Sequence, residues 1–114
     1  MNPPPVLESW VRQVDWILDR SQHFPRRTRF TLANRLDNHA LDIYELLVRA
    51  RYTQDVRPAL REASIRLEQL RLLARLAHRR GHLPNRAYAQ LAEGLDEVGR
   101  QIGTWLRHAE RGRG

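Results

Sequence analysis

Two kinds of side chain in this 114-residue sequence could engage a ligand directly. One is arginine: all 20 basic residues are arginine and none is lysine. A guanidinium grips phosphate oxygens two at a time and stacks on bases better than an ammonium does. A GC-rich genome would also give arginine-only usage, with the same physical consequence. The other kind is histidine. His78 and His82 have the i,i+4 spacing of a helix-borne metal pair, but no acid is near them and the surrounding arginines repel cations. No metal and no other cofactor are expected. The residues needed for catalysis are missing too. There is no cysteine, no Glu-x-x-His, no phosphate-binding glycine loop and no Gly-x-Ser-x-Gly. Ser9, Ser21 and Ser64 fall on helical segments without the setting of an activated nucleophile. A chain with no catalytic residues, and therefore no enzyme, is the expectation.

The arginines are unevenly spread. From Arg20 to Leu36 there are five (Arg20, Arg26, Arg27, Arg29, Arg35) and no acid. From Gln69 to Ala92 there are five more (Arg71, Arg75, Arg79, Arg80, Arg86), again with no acid. These ten exceed the formal net charge of +7, so the rest of the chain carries a net negative charge.

The elements that must position these charges are helices. No stretch alternates with the period of a strand. The first amphipathic segment runs from about Val6 to Gln22, with Leu7, Trp10, Val11, Val14, Ile17 and Leu18 on one face, and ends at Phe24-Pro25. The second runs from about Thr28 to Arg51 with Leu32, Leu36, Ile43, Leu47 and Ala50. After a break at residues 52–55, where Thr53 or Asp55 is a suitable N-cap, the third carries Val56, Leu60, Ala63, Leu67, Leu70, Ala74 and Ala77. Pro58 is tolerated there because it falls in the first turn. Gly81 suits the position just past that helix, and Leu83-Pro84-Asn85 restarts the chain. The fourth places Ala87, Leu91, Leu95, Val98, Ile102, Trp105 and Ala109 in one stripe. Breaks this short predict an all-α, antiparallel up-down four-helix bundle. In that arrangement the first and third loops lie at the same end, so the two acid-free windows converge there with His23, His78 and His82. Such a field is the footprint of a nucleic-acid binder. Its candidate contacts are Arg20, Arg26, Arg27, Arg29, Arg35, Arg75, Arg79, Arg80 and Arg86.

Two features exceed what a lone bundle needs. At about 100° per residue, Phe30, Leu41 and Val48 fall opposite the core stripe of the second helix, and Ile65, Leu72 and Leu76 opposite that of the third. Scattered surface apolars would be the plain explanation; self-association through these helices is the reading preferred. In the fourth helix Ala92, Gly99 and Gly103 line up beside the core. Each glycine costs roughly 1 kcal/mol against alanine, so close approach by another helix is the expected compensation.

The length allows one domain, residues 1–114, with residues 1–5 and 108–114 as flexible tails. No apolar run exceeds three residues, far short of the roughly 20 that span a bilayer, and Met1-Asn2-Pro3-Pro4-Pro5 has no signal-peptide character. A cytoplasmic protein with no membrane partner is expected.

The stretch Phe24-Pro25-Arg26-Arg27-Thr28-Arg29-Phe30-Thr31-Leu32 resembles the opening of helix two in the accessory variability (Avd) proteins of diversity-generating retroelements. Residues 46–52 (LLVRARY) and 70–77 (LRLLARLA) are similar to that family's second and third helix cores. Residues 95–106 (LDEVGRQIGTWL) are similar to its ending, with Thr104 where glycine is common. The likeness covers about Trp10 to Arg107, in order and in register. It implies a four-helix bundle assembling into a basic homopentameric barrel. It also implies partners: the reverse transcriptase of the same element, and its template-repeat RNA or cDNA during mutagenic retrohoming. On that implication Phe30, Leu41, Val48, Ile65, Leu72, Leu76, Gly99 and Gly103 belong to the oligomer interface. The alternative within the same fold is the four-helix protein type encoded in ribosomal-RNA intervening sequences, a scaffold without a polymerase. A basic protein lying on a membrane surface is a third reading, disfavoured because the apolar faces look internal.

Overall fold

A computed structural model describes residues 5–113, and residues 1–4 of the expected N-terminal tail lie outside it. The described residues form four helices and no strand. Helix α1 spans Pro5–Ser21. Helix α2 is composite: one α-turn at Arg26–Thr28, a π-helical segment at Arg29–Ala33, then α-helix over Asn34–Tyr52. Helices α3 and α4 span Arg57–Arg79 and Asn85–Arg113. Successive helices pack on each other and α1 closes against α4, giving the up-down bundle, with extents of 48 × 23 × 22 Å.

One stripe per helix fills the interior. Trp10, Ile43, Leu47, Leu60, Leu70, Leu91, Leu95, Val98 and Ile102 are fully buried. Trp10 anchors the α1–α2 seam: its indole N–H donates to the Ala40 carbonyl at 2.9 Å, which satisfies the one polar atom that this ring brings inside. Alanines at 63, 74 and 77 let α3 approach its neighbours closely.

The helix ends follow local chemistry. Pro25, with extended backbone, starts α2 two residues before the expected point. Asp55 accepts the Arg57 backbone N–H at 3.2 Å and also binds its guanidinium, so it caps α3 from one residue outside the formal cap, Val56. At the other end of α3, Gly81 has φ of +82°; its N–H donates to the His78 carbonyl and that of His82 to the Ala77 carbonyl. These two bonds make the Schellman stop expected of a glycine there.

Three expectations need correction. Residues 108–113 are helical, because Trp105 and Leu106 pack on the core and Glu110 pairs with Arg61 at 3.2 Å one helix away. Val11 and Leu18 sit at the edge of the buried face of α1 and are 43% and 38% exposed. Phe24, read only as part of a break, is buried.

Trp10→Ala should destabilise the fold by about 3–5 kcal/mol, as large aromatic truncations in a core do. Trp10→Phe should cost far less, about 1–1.5 kcal/mol for the lost hydrogen bond. Urea unfolding followed by helical signal measures both.

Candidate nucleic-acid interface

The α1–α2 turn is built by backbone bonds from His23 to Arg20 and from Phe24 to Ser21. The Ser21 hydroxyl donates to Asp37 at 2.6 Å, tying the turn to α2. Burial lifts the Asp37 carboxyl above its ordinary 3.8, and the Ser21 donor partly offsets that. Phe24 then drops into the end of the core and shares a small apolar recess with Ile17, Leu36, Leu83 and Leu91. Leu83, from the α3–α4 turn, is likewise buried. Above them His82 packs its ring on Phe24, with centroids 5.1 Å apart, and its Nε2 lies 2.9 Å from Thr28 Oγ1. Residues 54 apart in sequence thus join the two turns. The acid-free windows do meet at one end of the bundle.

Arg20, Arg26, Arg27 and Arg29 surround the first turn; Arg79, Arg80 and Arg86 surround the second. Arg75 lies one turn further along α3, and Arg35 lies deeper along α2. None of these nine forms an ion pair with a described carboxylate. Two are held in other ways. Arg20 lies over the Trp16 ring at 5.5 Å, and Arg29 donates to the Phe24 carbonyl at 3.4 Å. The tenth window arginine, Arg71, differs: it pairs with Glu68 and Asp96 and donates to the Leu95 carbonyl. It braces α3 against α4 and leaves the field to the other nine.

His78 does not pair with His82. It stacks on Tyr88, with centroids 4.4 Å apart, and its Nε2 meets Asn85 Oδ1 at 2.7 Å. Among the described residues no group of three or more His, Asp or Glu side chains is placed to hold a metal. None of the helices is long and apolar enough to cross a membrane.

The expected association residues divide. Phe30, Ile65 and Leu72 are 74%, 55% and 62% exposed; Leu41 and Leu76 are also exposed, while Val48 is half-buried against the core. Gly99 finds its close neighbour inside the chain, because a Cβ there would meet Arg71 and Leu67 at 3.2 and 3.4 Å. At Gly103 a Cβ would meet only the Arg107 side chain, so no other helix closes on it within the described residues.

A profile of the bAvd-like family matches residues 6–109. The chain belongs to that family. This places it among the accessory proteins of diversity-generating retroelements, of the Avd (accessory variability determinant) type. No curated protein matches the sequence. The matched span reaches into all four helices of this Avd-type chain, ending four residues before the end of α4, and includes both turns of its basic end.

Burial first, and the Arg80 charge second, hold the His82 imidazole below its ordinary 6.5. The unfolded chain therefore binds that proton more readily. The stabilisation from neutral His82 is complete above pH 6.5 and is lost as pH falls through the folded value. His39 is lowered too, by burial and then Arg66, and acts in the same direction. The melting temperature should fall between about pH 8 and about pH 5, and His82→Gln should remove part of that fall, leaving the His39 share.

Proposed function

We propose that this protein is a non-enzymatic accessory that binds nucleic acid through its basic end, together with the reverse transcriptase of its own element, and acts as a closed homo-oligomer. The observation that carries the reading is the joining of two acid-free turns by Phe24, His82 and Thr28, with nine arginines around them that pair with no described carboxylate. Phosphates are the ligand such a surface fits, and contacts of this kind are sequence-tolerant. Template RNA or its cDNA is the nucleic acid that family membership supports. Family membership also favours a pentamer. The exposed apolar stripes of α2 and α3 support an oligomer of some size. Multivalency would then raise avidity by effective concentration, keeping polymerase and template together through initiation.

Binding to single-stranded RNA should be strongly salt-dependent. If about six phosphates are neutralised, log K falls against log salt with a slope near −4. Reversing Arg26, Arg27, Arg79 and Arg80 to glutamate should abolish binding while the helical signal and melting temperature stay close to those of the parent. Unchanged RNA affinity in that variant would move the site elsewhere.

The polymerase reading has its own test, which is co-purification with the reverse transcriptase encoded beside this gene and template-primed synthesis with and without the accessory. Synthesis should need it, and the arginine-reversed variant should fail to restore it. Equal synthesis without it would leave the scaffold role of the ribosomal-RNA intervening-sequence type.

A further inference from the structure

Most rings near the two turns of the basic end are engaged within the chain. Phe24 is buried and His82 packs on it; Trp16 lies under the Arg20 guanidinium; His78 and Tyr88 stack on each other. His23 and Phe30 have no ring partner among the described residues, and Phe30, the apolar one, is 74% exposed. Local structure sets its direction. Thr28 is turned inward onto His82, and two residues cover about half a helical turn, so Phe30 projects from the opposite side. The Thr31 hydroxyl donates to the Thr28 carbonyl at 3.4 Å, and the Asn34 side-chain amide to the Phe30 carbonyl at 3.3 Å. These two bonds hold the turn that carries the ring.

Its surroundings narrow what could cover it. One turn back on the helix surface stand Arg26 and Arg27, and one turn forward stands Asn34, all exposed. Exposed Arg29 and Thr31 flank it in sequence. The next exposed large apolar side chain along α2 is Leu41, about 16 Å further down the helix. The ring is therefore an apolar island among guanidinium groups, none of them paired with a described carboxylate. An apolar protein surface laid over it would strip water from those charges without compensation. A ligand that is flat and apolar on its faces and anionic beside them satisfies ring and arginines together. A nucleotide in an unpaired strand has that form.

We propose that Phe30 is a stacking platform for one unpaired nucleobase, with Arg26 and Arg27 on the adjoining phosphates, so that the basic end selects single-stranded over duplex nucleic acid; this rests on the basic-end reading above and adds a residue and a strand form to it. The faces of a base are open only where the strand is unpaired, because a duplex covers them with its own stack. Arginines alone would not discriminate in this direction, since a duplex has the higher charge density. Stacking accepts any base, which agrees with a surface that reads phosphates rather than sequence. The assignment takes Phe30 out of the expected association surface and leaves that surface to the other exposed apolar residues of α2 and α3.

Three RNA probes of equal length, read by fluorescence anisotropy, test this: an oligouridylate, the same phosphodiester chain with an abasic spacer at every position, and a duplex. Phe30→Ala should weaken oligouridylate binding roughly 5- to 150-fold, the range that removal of one base-stacking ring gives. Its affinity for the abasic chain and the duplex, and its salt slope, should stay those of the parent. Phe30→Trp should retain oligouridylate binding, whereas Phe30→Leu, apolar but without a π-face, should lose it as alanine does.

Parental affinity in Phe30→Leu, or equal binding of oligouridylate and the abasic chain by the parent, overturns the stacking role and leaves the basic end as a phosphate site. A parent that binds none of the three probes defeats the basic-end reading and this one with it. Sedimentation of Phe30→Ala should match the parent; a smaller assembly would place the ring in a protein contact and overturn the assignment. A measurement on the unaltered protein needs no variant at all. Irradiated with an oligouridylate containing 5-iodouridine, the complex should carry the cross-link at Phe30, within the tryptic peptide of residues 30–35 (FTLANR). Cross-links confined to other peptides overturn the proposal.

Discussion

Like charges repel, and the basic end gathers nine guanidinium groups, none paired with a described carboxylate, in and near the two turns at one end of a bundle about 23 Å wide. What holds them there is apolar. Phe24 and Leu83, one from each turn, are buried side by side with Ile17, Leu36 and Leu91, and His82 covers them from above. Burying a pair of this size is worth several kcal/mol, at about 1.5–3 kcal/mol for each side chain. Repulsion between exposed arginines in water is weaker and screened by salt. The contact that fixes the fold at this end thus also fixes the electrostatic field. The two cannot be varied independently: loosening Phe24 would let the turns separate and dilute the charge.

Much of this architecture is legible in the sequence because it rests on periodicity. The 3-4-3-4-3 spacing from Leu60 to Ala77 admits only one buried face, and every member of that run is buried. Gly81 likewise announces its stop, since φ of +82° is a conformation other residues avoid. The convergence of the two windows follows from loop order alone. Phe24 was hidden because a residue beside a proline reads as punctuation, and its depth depends on a partner 59 positions later, Leu83. Val11 and Leu18 were misplaced because a helical wheel cannot say how wide a stripe its neighbours will cover. The tail was misjudged on composition, when Trp105, Leu106 and the Arg61–Glu110 pair extend the helix past it.

Arg71 and Gly99 illustrate a division of labour that sequence cannot supply. Glycine at 99 leaves room for the Arg71 guanidinium to lie across α4, where it meets Asp96 and the Leu95 carbonyl. An arginine counted with the basic field is thereby a brace between helices, and a glycine counted with an interface is its seat. Composition treats all ten window arginines alike; three-dimensional proximity to Glu68 and Asp96 separates one from the rest.

The π-helical segment at Arg29–Ala33 carries one residue more than an α-helix of the same rise would hold. Its effect is angular. Everything before it, including Arg26 and Arg27, is rotated by about 100° relative to the phase that the Leu36–Ile43–Leu47 stripe would impose. Gaining or losing a single residue here would re-aim the leading turn of α2 around the tip and leave the core contacts further down the helix in phase, at the expense of the Thr28–His82 contact. The segment is a rotary joint set by length, and the direction in which this end of the molecule presents its charge is open to change through insertion and deletion as well as through substitution.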